Sequence, residues 1–312
     1  MKGKKILVTG GAGLLGMNLT KALRGAGAKV TATYHHKQAS VEYANVDYIH
    51  TDLTFFADCL KVCTEQDYVI MSAAVIAGAK GMSDKSIDLV TPNNLIQLNL
   101  LKASHEVGVK KVIFFGSTTE YPDTGKPVKE DEAFIGDPYE KYFPIGWYKR
   151  YGEKLCEWYN KLGMNVVVLR PSNIYGPHDN FDPATSHVTA ALIRKVLERQ
   201  NPLVVWGDGS ESRDLIYVDD MVDAVLWAID HLNGYNPVNI GSGINVTVQE
   251  ILDILCGLEG FSPLIQYDNT QPTMIPIRKV EVSKATGLGF QARIPIKEGL
   301  RQTIKWYKEN LC

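Results

Sequence analysis

No apolar run in this chain of 312 residues approaches the ~20 residues needed to span a bilayer. No membrane segment is therefore expected. At the amino terminus, the apolar part of "MKGKKILVTGG" is too short for a signal peptide and breaks at glycines. Cysteine is scarce: Cys59, Cys63, Cys156, Cys256 and Cys312 make an odd set of five. Cys59 and Cys63 fall at helical spacing in "FADCLKVCTE" and no second ligand pair accompanies them, so no metal is expected. Reduced, structural thiols in a cytoplasmic protein are the expectation. Excess charge is missing too. A formal net charge of −2 gives no electrostatic reason to bind nucleic acid or a membrane surface. Internal repeats, low-complexity tracts and long linkers are also absent. What is present is 45% hydrophobic residues, enough for a substantial core in one large domain or two linked ones.

From residue 5 to about 170, short β-branched runs alternate with amphipathic segments. "KILVTG", "KVTATY", "VDYIHTD", "YVIMSAA", "KKVIFFGS" and "NVVVLRPS" read as strands. "LLGMNLTKALRGAG", "NNLIQLNLLKASHEVG" and "WYKRYGEKLCEWYNKLG" read as helices between them. This alternation implies an α/β protein with a doubly wound parallel sheet of the Rossmann type over residues 1–170. After 170 the rhythm changes, and helices are separated by proline-containing, irregular links. "NVTVQE" carries a capping box, Thr247 with Glu250, opening one of these helices. Residues 171–312 are expected to form mainly a smaller α/β lobe that binds substrate, with a stretch near 214–242 returning to the first sheet.

Gly10, Gly13 and Gly16 directly follow the first strand, and Leu14 and Leu15 open the first helix. Gly10 permits a tight turn, Gly13 lets a pyrophosphate approach the backbone, and Gly16 allows close helix packing. The helix amino terminus attracts the phosphates. Another absence matters here. The second strand has no Asp or Glu at its end to take the ribose 2′-hydroxyl of NAD; His35, His36 and Lys37 follow instead, better suited to a 2′-phosphate. NADP is the expected cofactor, with NAD as the alternative, since a solvated basic turn would have the same composition. Asp52 and Leu53 end the third strand where an adenine would lie. Ala73 and Ala74, in the small-residue run 72–78, leave room for the cofactor after the fourth.

The motifs "TGGAGLLG", "FFGSTTEYP", "KRYGEKLCE", "LRPSNIYGP", "WGDGSESRDLIYVDD" and "NIGSG" together resemble the extended short-chain dehydrogenase/reductase family of nucleotide-sugar epimerases, dehydratases and reductases. The run at 173–195 is similar to the branch that reduces and epimerises GDP-linked 4-keto-6-deoxy sugars with NADPH. The resemblance implies an NAD(P)-dependent enzyme acting on a nucleotide sugar, and a homodimer formed through two long helices. It places Ser117 at the substrate-hydroxyl position and Lys149 at the nicotinamide-ribose position. His187 falls at a catalytic histidine position; Pro171 and Asn173 line the cleft. Lys195, Trp206, Arg213 and Lys279 fall among the nucleotide-contacting residues. His178 reads as structural.

Two family residues are missing. Four places before Lys149, where the family carries its acid–base tyrosine, stands Ile145; the second acid–base position, two after Ser117, is Thr119. An isoleucine neither donates nor accepts a proton, and loss of a positioned acid–base group typically forfeits ~10²–10⁴-fold in rate. Tyr142, seven places before Lys149, is the candidate replacement if its loop swings it into place; Pro144 argues against a helix reaching back that far. Tyr148, adjacent to Lys149, is expected to face away and pack. Glu120 is expected on the far face of a continuing strand. Retained-NAD 4-epimerisation, or ligand binding with little turnover, stay open as alternatives.

Overall fold

The computed structural model describes residues 1–76 and 86–311; Ala77 and Gly78 of the small-residue run, and Cys312, lie outside them. The six expected strands form as β1 (Lys5–Val8), β2 (Lys29–Tyr34), β3 (Val46–His50), β4 (Tyr68–Met71), β5 (Lys111–Phe115) and β6 (Val166–Pro171). Helices α1 (Leu14–Gly25), α2 (Phe56–Cys63), α3 (Ser86–Glu106) and α4 (Phe143–Lys161) alternate with them. Beyond β6 come β7 (Asn173–Tyr175), α5 (Val188–Leu197), β8 (Leu203–Trp206), β9 (Ser212–Tyr217), α6 (Val218–His231), β10 (Val238–Ile240) and β11 (Asn245–Thr247). The chain closes with α7 (Val248–Glu259), β12 (Ile265–Asp268), β13 (Ile277–Arg278), α8 (Ser283–Gly287) and α9 (Ile296–Asn310).

The main sheet has seven strands in the order β10-β6-β5-β4-β1-β2-β3, every pairing parallel. The chain runs outward from β1 to β3, then returns to the other side of β1 and runs outward again. That reversal leaves a crevice between the carboxyl ends of β1 and β4. The period of two along the strands explains why both faces are covered. Ile6, Val8, Ile70, Ile113, Val167 and Leu169 point into one apolar cluster with α1 and α6. Leu7, Val69, Met71, Val112, Phe114, Val166 and Val168 point into the other, with α2, α3 and α4. Cys59, Cys63 and Cys156 are buried in this second cluster as free thiols. Burial pushes the Cys59 and Cys63 thiols up to about 12 and about 11, so they behave as small apolar groups.

Two helices start earlier than their sequence patterns indicate. The third begins at Ser86 rather than Asn93 and accommodates Pro92. The fourth begins at Phe143 rather than Trp147, because Pro144 sits in its first turn, where the N–H that proline lacks would have had no partner. Ile145 is therefore helical, one turn before Lys149. The Lys111 ammonium is buried and donates to the Ile229 and Leu232 carbonyls at 2.5 and 2.8 Å, capping the end of α6.

The later strands form two smaller sheets. β9 pairs with β11 antiparallel and with β7 and β13 parallel, while β12 pairs with β8. Leu192, Ile193, Val196, Leu252, Leu255 and Leu300 fill the core beneath them. The Thr247–Glu250 capping box opens α7 as expected. No described helix is long and apolar enough to cross a membrane.

Candidate active site

The cofactor end is built from backbone. Gly10 has φ +67, and a Cβ there would lie 2.7 Å from Ala73 Cα. The turn after β1 thus touches the chain leaving β4, at the crevice itself. A Cβ on Gly16 would lie 2.1 Å from the Gly10 carbonyl, so α1 sits directly on that turn. Gly13 caps α1 without a side-chain hydrogen bond, and no acidic residue occupies the first turn. The amide groups of Leu14 and Leu15 therefore face outward without a carboxylate competitor, the arrangement that accepts a diphosphate. Among the described residues, this is the feature that fits a dinucleotide.

At the neighbouring strand ends, His36 and Lys37 are exposed. The His35 and His36 ring centres lie 3.9 Å apart with their planes tilted, and His35 Nε2 lies 3.8 Å from Asp52 Oδ2. Asp52 Oδ1 accepts from the Thr54 amide and hydroxyl at 3.0 and 2.7 Å, turning the chain through Leu53 into α2. The hydrogen bonds from Thr54, more than the nearby histidines, lower the Asp52 pKa. Ala73 N donates to Thr9 Oγ1 at 3.0 Å, and Asn93 brackets the backbone of Val75. Ala74 lies between those two fixed points.

The chemical end is built from side chains beyond β5. Lys149 is half-buried and donates to the Phe115 carbonyl at 2.7 Å. Its ammonium lies 5.6 Å from both the Phe114 and Tyr148 ring centres. Burial pulls its pKa down, opposed by the Glu120 and Glu153 carboxylates. Ser117, half-buried at the strand end, accepts at Oγ from Thr119 N at 3.1 Å and from Thr119 Oγ1 at 2.9 Å. Tyr148 is buried, with its carbonyl held by Gln97 Nε2 at 3.0 Å, so it packs as expected. Tyr142 is buried at the N-cap of α4, its ring edge-on to Tyr139 at 5.8 Å.

Glu120 departs from expectation. The strand stops at Phe115, and Thr118–Glu120 form a single 3₁₀ turn capped by Ser117. This folds the fully buried Glu120 carboxylate back beneath the strand end, where Oε1 accepts from Ser117 N at 2.6 Å. Arg170 joins it to Glu153: Nη2 and Nε bond Glu153 at 2.6 and 2.7 Å, and Nε lies 3.3 Å from Glu120 Oε2. Two carboxylates share one guanidinium, and burial with the Glu153 charge raises the Glu120 pKa well above the usual carboxylate range. The capping-box signature Ser-x-x-Glu at 117–120 was the available signal.

In the second lobe, Arg213 Nη1 donates to the Ser212 and Pro276 carbonyls at 2.7 and 3.0 Å. Arg278, in register with it on β13, is not solvated: it is buried and holds the Tyr121 and Pro122 carbonyls at 3.1 and 2.9 Å. It ties this lobe to the Ser117 turn, a role with no local sequence signal. Lys279 follows it, exposed. Lys195 Nζ donates to Val204 O at 2.6 Å, two residues before the exposed Trp206. Pro171 ends β6 and Asn173, exposed, begins β7. His187 is the exposed N-cap of α5. The His178 ring lies tilted against Trp306 with ring centres 4.7 Å apart and shares a hydrogen bond with Ser40 Oγ at 3.1 Å. Burial, with Lys21 and Lys37 adding to it, depresses its pKa to about 4, which fits a structural residue.

Phosphate-accepting amides and acid–base-capable side chains on one edge of a doubly wound sheet define a dinucleotide-binding enzyme class. Comparison with known proteins narrows it. The NAD dependent epimerase/dehydratase family matches residues 6–241, and the chain belongs to that family, the nucleotide-sugar epimerases and reductases of the extended short-chain dehydrogenase/reductase type. It is 33% identical over 320 residues to the probable GDP-L-fucose synthase 1 of rice (Oryza sativa subsp. japonica), covering 99% of this chain and 94% of that one. The solved GDP-6-OMe-4-keto-L-xylo-heptose reductase of C. jejuni is 25% identical, with TM-score 0.88 and 99% of each chain covered. The GDP-mannoheptose C4 reductase of Campylobacter jejuni, solved with NADP bound, is 26% identical with TM-score 0.84, again covering 99% of each chain.

Proposed function

We propose that the protein is an NADPH-dependent reductase/epimerase of a GDP-linked 4-keto-6-deoxy sugar that uses a proton donor other than a tyrosine at position 145. The observation that carries this reading is that Lys149, held on the Phe115 carbonyl, and Ser117 both stand at the end of β5, beside a crevice whose α1 amides are free for a diphosphate. NADP rather than NAD fits the exposed His36 and Lys37 after β2 and the absence of an acid there; the NADP-bound heptose reductase supports the same choice. When bound, the reduced nicotinamide supplies hydride. The protein's own residues orient the ketone through Ser117, hold the ribose through Lys149 and neutralise the sugar diphosphate through Lys195, Arg213 and Lys279. His187, exposed at the amino end of α5, is the candidate for moving the carbon-bound proton of an epimerisation. With Thr119 at the second acid–base position, reduction is the dominant reaction.

The apolar side chains Trp147, Tyr151 and Trp158 on α4, with Ile87 and Leu95 on α3, are exposed; this supports a homodimer formed through α3 and α4. Buried free thiols suit a cytoplasmic location. The test is to supply NADPH with GDP-4-keto-6-deoxymannose and follow absorbance and product stereochemistry. Stoichiometric NADPH oxidation with a reduced sugar supports the reading. Interconversion of C4 epimers on retained NAD, without net oxidation, replaces it with 4-epimerisation; binding of both ligands without turnover replaces it with a binding role.

A further inference from the structure

The missing phenol leaves a chemical gap that the turn after β5 is built to fill. A serine hydroxyl has one proton to give and two lone-pair directions to receive. At Ser117 both receiving directions are taken by one residue, Thr119, through its amide at 3.1 Å and its hydroxyl at 2.9 Å. With the Thr119 hydroxyl as donor, the Ser117 proton is free to point away from the turn, where a ligand oxygen above the strand end would accept it. The pair is held rigidly. Glu120 Oε1 accepts from Ser117 N at 2.6 Å, and buried Arg150 Nε clamps the Glu120 carbonyl at 2.8 Å. It is also in the right place. A Cβ on Gly146 would lie 2.5 Å from the Thr119 carbonyl, so the Thr119 turn rests against the first turn of α4, next to Ile145. Thr119 is only half-buried, so its oxygen can receive a proton from water.

We propose that the Ser117 and Thr119 hydroxyls form a two-step proton relay that replaces the phenol absent at position 145. This rests on the reductase reading above. As hydride from a reduced nicotinamide reaches the keto carbon, the C=O π pair becomes an alkoxide lone pair on oxygen. That oxygen takes the Ser117 proton, Ser117 Oγ takes the Thr119 proton, and Thr119 takes one from solvent. The balance is one hydride and one solvent proton added across the carbonyl, with both hydroxyls restored. Thr119 is then a part of the proton path and not a failed epimerisation acid.

Thr119→Val keeps the amide bond to Ser117 and the volume of the side chain while deleting the hydroxyl. It should lower kcat by about 10²-fold with little change in KM, and Thr119→Ser should restore it. The proton inventory of kcat in mixed light and heavy water should be curved in the natural enzyme and linear in Thr119→Val. In an Ile145→Tyr background the Thr119→Val loss should shrink to within about threefold, because the phenol takes over the step. Neutron diffraction of the free enzyme gives a readout independent of turnover: the Thr119 deuteron should lie on the line to Ser117 Oγ and the Ser117 deuteron should point away from Thr119. A Ser117 deuteron aimed at Thr119 overturns the relay whatever the activity. Full NADPH oxidation by Thr119→Val, or an equal loss with and without Tyr at 145, overturns the relay and leaves the reductase reading standing. Absence of NADPH oxidation in the natural enzyme overturns the reductase reading itself.

Discussion

The two ends of the active edge are made differently. The cofactor end consists of Gly10 and Gly16, where a Cβ would strike backbone, together with Gly13 and the first amides of α1. The chemical end consists of Ser117, Thr119, Lys149 and a buried set of Glu120, Glu153 and Arg170. Backbone contacts of the first kind tolerate almost no substitution. Under the proposed relay, the hydroxyl network of the second kind is rewired around Ile145 and Thr119 while the binding geometry of the first kind persists.

Four variants break or sharpen that contrast. Arg170→Met should have the largest effect on folding, because it leaves the Glu153 and Glu120 carboxylates buried without their guanidinium. We expect a loss of roughly 3–5 kcal/mol in chemical denaturation. Gly16→Val strikes the other end, placing its Cβ against the Gly10 carbonyl. It should cost roughly 1–3 kcal/mol of stability through backbone displacement, and calorimetric titration should show NADPH affinity reduced far more than affinity for the nucleotide sugar.

Glu120→Gln tests the electrostatics of the chemical end by its pH dependence. Glu120 has its pKa raised in the folded state, so above the ordinary carboxylate pKa the folded chain holds a proton that the unfolded chain has released. Stability from this group then falls as pH rises from about 4.3 toward the raised value, by up to about 1.4 kcal/mol per pH unit for one proton. The variant lacks that slope. Its advantage over the natural protein should be absent in acid and grow with pH, and equal pH profiles for the two would show that Glu120 is ionised in the fold. The smallest change is expected for Lys279→Ala: exposed, it should leave the melting temperature alone and raise KM for the nucleotide sugar by about tenfold, the value of one charge-assisted contact.

The sheet and its crevice were legible because six β-branched runs and the glycine spacing are local signals. The chemical end was legible only in part. The resemblance named Ser117 and Lys149 as candidates, but the β-branched "KKVIFFGSTT" hid a turn, although Ser117 and Glu120 carry the same capping-box spacing that was recognised at Thr247 and Glu250. Pro144 occupies the first helical turn, so the helix starts at Phe143, earlier than its pattern indicated, and stops short of Tyr142 as the proline implied. Arg278 and the Glu153–Arg170 pair lay beyond reach. Their burial depends on β13, only two residues long, and on α4 meeting β6, which no local periodicity reports. Tyr142, the candidate replacement donor, is buried at the N-cap of α4 with its ring edge-on to Tyr139.

In the proposed function, reducing equivalents pass to a sugar held over the β5 end. Incubating the protein with NADPH deuterated at the transferring position and a GDP-linked 4-keto sugar, then locating the label by NMR, tests that directly. One deuterium bound to the former carbonyl carbon for each NADPH consumed is the predicted result; an unlabelled sugar recovered while both ligands are bound would contradict it.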